Sequence, residues 1–222
     1  MTAIDARPSD SVAAPPAPRI LMPPYLVLRD FLGADAAAGL LAFALGHEAA
    51  FEPTKTGFAG KGRIRPDFRV STGTRDLGPY KPMLKDRLRA LVPELVARLG
   101  ATPVERPKFE LQLVAHNDGA FYKRHIDTQT ASERDRIRVL SAVYYFHARP
   151  KAFAGGALRL YAIGDASLRS FIDVEPEHDT LLVFPSWAPH EVMPVGCPSR
   201  RFADSRFAIN CWVYRVRAAA AA

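Results

Sequence analysis

The sequence has few of the features that mark secreted, disulfide-bonded or membrane-spanning proteins. It contains only two cysteines among 222 residues, and Cys197 and Cys211 do not have the spacing of a metal-binding C-x-x-C pair. It has no apolar run of about eighteen residues, the length that a transmembrane helix requires. The start of the sequence also lacks a basic stretch followed by an apolar one, which a secretion signal would have. We therefore expect a cytoplasmic protein with free thiols and no membrane partner.

Composition predicts one folded domain between two unfolded ends. Residues 1–19 are rich in proline and alanine and offer little that a hydrophobic core could bury, so we expect a disordered leader there. Residues 218–222 are all alanine and are expected to form a tail. The intervening residues 20–217 are enough for a single domain with a substantial core.

The net charge of +7 comes from one stretch of the chain. Residues 54–90 contain ten lysines and arginines against three aspartates, and the rest of the chain is balanced. A basic patch of this kind can attract nucleic acid or acidic peptides. The stretch has few aromatic side chains that could stack on bases, so nucleic acid is not the expected partner. A solvated loop followed by the polar face of a helix also explains the charges, and the choice stays open.

The spacing of apolar residues changes from helical to strand-like along the chain. A strand over residues 26–31 and an alanine-rich helix over residues 34–45 come first, and residues 57–78 are predicted as a loop or irregular hairpin. Helical spacing then predicts a second helix before Gly100, with its apolar stripe at Leu84, Leu88, Leu91, Leu95 and Leu99. Alternation with period two predicts strands over residues 109–113, 139–147, 157–161, 170–174, 180–184, 191–195 and 206–215. The prediction is a mainly β fold with flanking helices (α+β), in which the helices pack on one outer face of a sandwich or barrel.

His125-Ile126-Asp127 is the first group that predicts chemistry. On an extended backbone, residues two apart point to one face, so an imidazole and a carboxylate would lie side by side with Ile126 packed behind them. Iron(II) in oxygen-activating sites is bound by two histidines and one carboxylate, which leaves positions open for O₂ and a cosubstrate. The second histidine would be His190, which follows a proline-containing turn and opens a strand. An ordinary surface pair, or a histidine bonded to the turn backbone, are the alternatives at this point.

The last predicted strand has an unusual second face. Alternation assigns one face to the core, with Phe207, Ile209, Cys211 and Val213. The opposite face carries Arg206, Ala208, Asn210 and Trp212. That mixture suits the inside of a barrel that holds a polar ligand, because an inward arginine needs an anion and binds carboxylates through two parallel hydrogen bonds. An exposed edge strand is the alternative.

These blocks, in this order, resemble the prolyl 4-hydroxylase-like group of 2-oxoglutarate/iron(II) oxygenases. Residues 116–127 are similar to that group's Y-x-x-G-x-x-Y-x-x-H-x-D, and residues 153–161 to its GG-x-L strand. Residues 190–192 and 206–212 are similar to its closing H-x-V and R-x-x-(I/L)-x-x-W. The resemblance extends over residues 25–214 and implies a double-stranded β-helix, or jelly roll, with the site inside its open end.

The resemblance also implies a role for each matching residue. His125, Asp127 and His190 would bind Fe(II), and Arg206 would bind the distal carboxylate of 2-oxoglutarate with a hydroxyl bond from Tyr145. The rest of the cosubstrate pocket would be formed by His116, Tyr122, Asn210 and Trp212. The implied cofactors are Fe(II), the cosubstrate 2-oxoglutarate and O₂, with ascorbate as a candidate stimulant.

The chain departs from the group's pattern at two places. His116 stands where the group usually has a tyrosine that contacts the cosubstrate. The group's basic residue also commonly follows the second histidine more closely than Arg206 does. Arg200 or Arg201 is therefore the alternative anchor for 2-oxoglutarate.

The implied activity is hydroxylation of an unactivated C–H bond with release of succinate and CO₂. The group suggests a prolyl residue of a peptide or protein as the substrate. A free amino acid or another small metabolite is the first alternative, and a metal-binding barrel or hydrolase that uses the same ligands is the second. Residues 55–76 and 128–138 are expected to select the substrate, and the sequence makes no prediction of the oligomeric state.

Overall fold

Two helices form one face of the domain. The computed structural model describes residues 20–57, 62–128 and 136–216, so the predicted leader and alanine tail lie outside the described residues. Helix α1 (Ala34–Gly46) and helix α2 (Tyr80–Arg98) lie where the sequence predicts them. Within the described ranges, neither helix combines the length and apolarity needed to cross a membrane.

The predicted leucine stripe of α2 is confirmed with one change. Leu84, Leu88 and Leu95 are buried, but Val92 is buried in place of the half-buried Leu91. Steps of four from Leu84 lead to Val92, so the stripe keeps facing the sheet at that turn. Gly100 ends the helix with φ of +59°, a conformation that glycine adopts without steric cost.

The described residues form fourteen strands. They are β1 (Leu26–Arg29), β2 (Glu52–Pro53), β3 (Arg69–Val70), β4 (Thr72–Thr74), β5 (Lys108–His116), β6 (Phe121–His125), β7 (Arg136–Phe146), β8 (Ala154–Gly155), β9 (Leu158–Tyr161), β10 (Phe171–Val174), β11 (Thr180–Pro185), β12 (His190–Val192), β13 (Val195–Gly196) and β14 (Arg206–Val216). The single strand predicted over residues 191–195 is divided between β12 and β13. Pro194 lies at the break, where it has no N–H group to continue a ladder.

Twelve of these strands build two antiparallel sheets that face each other, and β8 and β13 pair in a separate two-stranded sheet. A seven-stranded sheet has the order β1-β11-β7-β14-β5-β4-β2, and a five-stranded sheet has the order β10-β9-β12-β6-β3. The main hydrophobic core lies between the helices and the seven-stranded sheet, and a second core lies between the two sheets. The predicted double-stranded β-helix with helices on one outer face is confirmed.

Alternation along β14 separates these two cores. Phe207 and Ile209 belong to the core under the helices, and Ala208 belongs to the core between the sheets. Arg206 shares the face of Ala208, so it points between the sheets as predicted. The site is therefore built from inward-facing residues of both sheets.

Asp179 ties the helix layer to the seven-stranded sheet. It is buried, and its carboxylate accepts hydrogen bonds from the backbone N–H groups of Leu32 and Gly33 at 2.8 and 2.9 Å. It also accepts one from the hydroxyl of Tyr144 at 2.8 Å. These bonds fix the chain where it enters α1.

Candidate active site

The three predicted metal ligands come together between the two sheets. His125 ends β6 and lies opposite His190, the first residue of β12, in the antiparallel pair. Asp127 follows two residues after His125, and the ligand atoms of all three side chains lie within 4.8 Å of one another. Asp127 Oδ1 is 3.8 Å from His125 Nε2, and Asp127 Oδ2 is 3.6 Å from His190 Nε2. The group could hold one metal ion.

Backbone carbonyls orient both imidazoles. His125 Nδ1 lies 2.8 Å from the carbonyl oxygen of Lys123, and His190 Nδ1 lies 2.9 Å from that of Ala188. A carbonyl only accepts, so each Nδ1 carries a proton, and in the neutral ring Nε2 then has the free lone pair. Both Nε2 atoms face Asp127. Metal-binding histidines are commonly held in this way, with the ring nitrogen that does not bind the metal fixed by a hydrogen bond.

The protonation states also suit a metal. Burial lowers the pKa of His125, and the neighbouring His190 lowers it further. Burial acts to raise the pKa of Asp127, but His190, His125 and the hydroxyl of Ser141 outweigh it and leave this pKa below its usual value. A neutral imidazole and an ionised carboxylate are the forms that bind metal.

The prediction that Ile126 packs behind the H-x-D pair is wrong. Its side chain is 39% exposed. The helices cover the seven-stranded sheet, whereas Ile126 follows β6 of the five-stranded sheet and lines an open groove. The two ligands share a face as predicted, and the residue between them faces outward.

Arg206 lies at the bottom of the same cavity and is 1% exposed. Its Nε donates to the carbonyl oxygen of Gly156 at 2.7 Å, and its guanidinium carbon lies 4.9 Å from the ring centre of Tyr145. Its Nη1 lies 3.3 Å from Nδ1 of His116. An arginine only donates, so His116 accepts through Nδ1 and carries its proton on Nε2. Burial and the charges of Arg206 and Arg69 hold the pKa of His116 well below its usual value, so the ring is neutral.

The alternative anchors Arg200 and Arg201 lie elsewhere. Their side chains are 79% and 75% exposed, and they pair with Asp118 and with the buried Asp204. Only Arg206, among these three arginines, lines the cavity.

The predicted site residues line one cavity between the sheets, with one exception. The lining includes His116, Tyr122, His125, Asp127, His190, Arg206, Asn210 and Trp212. Tyr145 is the exception, and it lies against Arg206 instead. The structure thus brings together the residues that the four sequence blocks supplied.

Two buried residues at the cavity were missed by the sequence prediction. Ser141 donates to Asp127 Oδ2 at 2.6 Å. It lies on β7 two and four residues before Val143 and Tyr145, so strand alternation from Tyr145 could have found it. Arg69 is 6% exposed and lies on β3, which has only two residues inside the stretch predicted as loop.

Arg69 forms the end of a stack that leads to the metal ligands. Its guanidinium carbon lies 4.6 Å from the ring centre of Tyr122, within the range of a cation–π contact. Tyr122 in turn stacks on His125 with 3.7 Å between ring centres and 21° between ring planes. The Nε of Arg69 donates to the hydroxyl of Ser71 at 3.0 Å.

Four buried side-chain atoms in the described part of the chain have no hydrogen-bond partner. They are Arg69 Nη2, His116 Nε2, Tyr145 Oη and Arg206 Nη2. Each can donate a hydrogen bond, and burying a donor without a partner is costly. Arg69, His116 and Arg206 line the cavity, and Tyr145 lies against Arg206. The donors of His116, Tyr145 and Arg206 indicate an anionic ligand at this end of the cavity, and a dicarboxylate such as 2-oxoglutarate fits them.

A wider groove of about 840 Å³ leads from the cavity to the surface. Its walls include Lys55, Phe68 and Trp212. Arg138 lies 4.2 Å over the ring of Trp212 and donates to Glu110 at 3.0 Å. Part of the stretch over residues 55–76 therefore faces the approach to the site, and its role in substrate selection stays a prediction.

Comparison with known proteins finds similar oxygenases and hydroxylases. The model of the 2OG-Fe(II) oxygenase superfamily matches residues 111–214. An uncharacterized PKHD-type hydroxylase from Synechocystis sp. is 42% identical over 139 residues, which are 59% of this chain and 44% of that protein. The chain thus spans less than half the length of this curated relative.

Solved structures share the fold. A prolyl-4-hydroxylase from Pseudomonas putida is 26% identical with a TM-score of 0.59, over 87% of this chain and 93% of that chain. A prolyl hydroxylase from Trichoplax adhaerens, in complex with a hypoxia inducible factor peptide, is 22% identical with a TM-score of 0.62. The second match covers 86% of this chain and 83% of that chain, and it shows the shared fold alone.

Proposed function

We propose that the protein is an Fe(II)/2-oxoglutarate-dependent dioxygenase, because the model of the 2OG-Fe(II) oxygenase superfamily matches residues 111–214. It hydroxylates an unactivated C–H bond and releases succinate and CO₂. The catalytic domain comprises residues 20–217. Two buried free cysteines support a location in the reducing cytoplasm, and ascorbate is a candidate stimulant.

His125, Asp127 and His190 hold the iron. Their two Nε2 lone pairs and the carboxylate form the donor set that Fe(II) prefers in oxygenases. When bound, iron with 2-oxoglutarate and O₂ supplies the oxidising power that hydroxylation needs. The chain contributes fixed ligands, a cavity between two sheets and control of what reaches it.

Arg206 binds the distal carboxylate of 2-oxoglutarate, and Tyr145 and His116 assist it. Burial raises the pKa of Tyr145 to about 12, so its hydroxyl keeps its proton and donates. The neutral His116 donates from Nε2, which is the role that a tyrosine hydroxyl has at this position in the related group. Tyr122, Asn210 and Trp212 line the rest of the pocket.

One observation carries this proposal. The His125–Asp127–His190 group lines the same cavity as His116 and Arg206, each of which has a buried donor without a partner. A zinc hydrolase could use the triad, but it would gain nothing from a buried arginine that has no carboxylate partner and costs free energy to desolvate.

Anaerobic addition of Fe(II) and 2-oxoglutarate tests the proposal. A weak visible charge-transfer band is expected in the wild type, because a 2-oxoacid that chelates iron(II) produces one. The Arg206→Ala variant should lose the band at 2-oxoglutarate concentrations that saturate the wild type. Absence of the band in the wild type, or full wild-type activity in Arg206→Ala, would favour the hydrolase.

A prolyl residue in a peptide or protein is the proposed substrate. Support comes from the named activity of the Pseudomonas putida relative and from the wide groove beside the site. A free amino acid is the second candidate, because Arg69 Nη2, which has no protein partner, could bind its carboxylate. Turnover of 2-oxoglutarate stimulated by proline-containing peptides or by free amino acids separates the two, and mass spectrometry should find a gain of one oxygen in the product.

A further inference from the structure

The carboxylate of Asp127 is held by a polar cluster that the iron-binding triad does not explain. Ser141 donates to Asp127 Oδ2 at 2.6 Å, and the hydroxyl of Ser186 lies 3.0 Å from that of Ser141. Ser141 is 2% exposed and Ser186 is fully buried. Two hydroxyl groups are thus buried beside the carboxylate, where the polar cavity meets the apolar core between the sheets.

The direction of these bonds follows from the chemistry of the groups. An ionised carboxylate can only accept, so the single proton of Ser141 points at Asp127. Ser186 must then donate to Ser141, which gives one ordered chain of two hydroxyls that ends on Oδ2. The carbonyl of Ser186 also accepts from the backbone N–H groups of Asp127 and Thr128 at 2.9 and 3.0 Å. Both the backbone and the side chain of Asp127 are therefore fixed.

We propose that Ser141 is a positioning residue for the iron, acting through Asp127. Its hydrogen bond engages Oδ2 and would favour Oδ1 as the oxygen that Asp127 offers to the metal. A carboxylate that used both oxygens would occupy one more position on the iron, at the expense of 2-oxoglutarate or O₂. This inference rests on the proposed function, since it concerns the same metal site.

Position 141 makes this inference specific. In the antiparallel pairs, Ser141 lies opposite Phe184 of β11 and Trp212 of β14. Its inward neighbours along β7, Val143 and Tyr145, both belong to the core between the sheets. An apolar side chain would suit these neighbours, so the hydroxyl is explained by its bond to Asp127 and not by packing.

Substitution of Ser141 by threonine and by valine provides a matched test. The two side chains have nearly the same shape, but only threonine keeps the hydroxyl. Apoprotein titrated with Co(II) under anaerobic conditions should bind it in Ser141→Thr with a Kd near that of the wild type. Ser141→Val should bind Co(II) about ten- to a hundredfold more weakly, the usual effect of losing an outer hydrogen bond to a metal ligand. Its visible Co(II) spectrum should also change, because the carboxylate is free to use both oxygens.

Equal Co(II) affinity and equal spectra in the threonine and valine variants would overturn the proposal. Ser141→Ala removes the hydroxyl without adding volume, so a comparison with the wild type remains possible if the larger side chains do not pack. Measurements on the wild type distinguish this result from a failure of the proposed function. If the wild type gives no charge-transfer band with Fe(II) and 2-oxoglutarate, the oxygenase proposal fails, whatever the variants do with Co(II).

Discussion

Gly156 lies so close to Arg206 that a methyl group on its Cα would displace the guanidinium. An added Cβ would lie 2.6 Å from Arg206 Cδ and 3.1 Å from Arg206 Nε, and 2.9 Å from Cγ2 of Val195. The carbonyl of Gly156 also accepts the hydrogen bond from Arg206 Nε. We predict that Gly156→Ala weakens the binding of 2-oxoglutarate by moving its anchor.

The contact distances set the size of the effect. Ordinary contact between carbon atoms needs about 3.5 Å, so Arg206 or the backbone must move by roughly 1 Å. A misplacement of about 1 Å can cost roughly a hundredfold in function. We therefore expect a Kd for 2-oxoglutarate about ten- to a hundredfold higher, or about 1.4 to 2.8 kcal/mol.

The chain offers a matched control for backbone strain. Gly156 has φ of +73° and Gly119 has φ of +72°, and an alanine is strained in both positions. An added Cβ at Gly119 meets nothing within 4 Å. Gly119→Ala should therefore lower the melting temperature about as much as strain alone does, and should bind 2-oxoglutarate like the wild type.

The assay is titration of the anaerobic Fe(II) protein with 2-oxoglutarate, followed by the visible charge-transfer band. The Kd should rise in Gly156→Ala and stay unchanged in Gly119→Ala. If both variants bind 2-oxoglutarate with the wild-type Kd, the close approach of Gly156 does not position Arg206 and the reasoning fails.

Three further predictions concern groups outside the 2-oxoglutarate anchor. Arg69→Gln should raise the KM for substrate while leaving the Kd for 2-oxoglutarate unchanged, because Arg69 faces the groove and its Nη2 has no protein partner; an unchanged substrate KM would contradict this. Asp179→Ala should lower the free energy of unfolding by about 1–3 kcal/mol or more in chemical denaturation, because it leaves the buried hydroxyl of Tyr144 and the buried N–H of Leu32 without their acceptor. Less than about 0.5 kcal/mol would show that water replaces the carboxylate. Burial raises the pKa of Cys211 to about 12, so the thiol is protonated at pH 8. Cys211 in the native protein should therefore resist thiol-labelling reagents at pH 8 until denaturant is added. Rapid labelling of Cys211 in the native state would refute this.

The sequence carries enough information for the parts of the site that depend on local spacing. His125 and Asp127 are two residues apart, and Arg206 begins a strand whose alternation identifies its inward face. His190 is harder to place because its position depends on the pairing of β12 with β6, but a histidine that opens a strand after a proline turn is a recognisable signal. The resemblance of the blocks in order then links these separate positions.

The roles of the missed residues depend on contacts between distant segments. Alternation from Tyr145 places Ser141 on the inward face of β7, but it does not predict the bond to Asp127. Ser141 matters because β7 passes the loop after β6, and the distance of 2.6 Å to Asp127 arises from the packing of one sheet on the other. Arg69 lies in a stretch whose glycine and charge content predicts a loop, and a strand of two residues is too short to show a period. The prediction for Ile126 is wrong for a similar reason, because the sequence does not show which of the two sheets the helices cover.

The two sheets divide the work of the site between them. His116, Tyr145 and Arg206 lie on β5, β7 and β14, which are neighbours in the seven-stranded sheet. Arg206 lies opposite His116 in the register, and Tyr145 lies opposite Ala208, two residues further along β14. The cosubstrate anchor is therefore held by backbone ladders within a single sheet.

The metal ligands belong to the opposite sheet. His125 and His190 lie on its paired strands β6 and β12, so their separation is set by a different ladder. Ser141 reaches from the seven-stranded sheet to Asp127 and is a polar link between the two halves. In the proposed site, the distance from the iron to the 2-oxoglutarate anchor would depend on the spacing of the sheets, which their shared apolar core maintains. Substitutions in that core, such as Leu182→Ala, should therefore weaken the binding of both the metal and 2-oxoglutarate. Substitutions that create a cavity in the core under the helices should lower the free energy of unfolding and leave both affinities nearly unchanged.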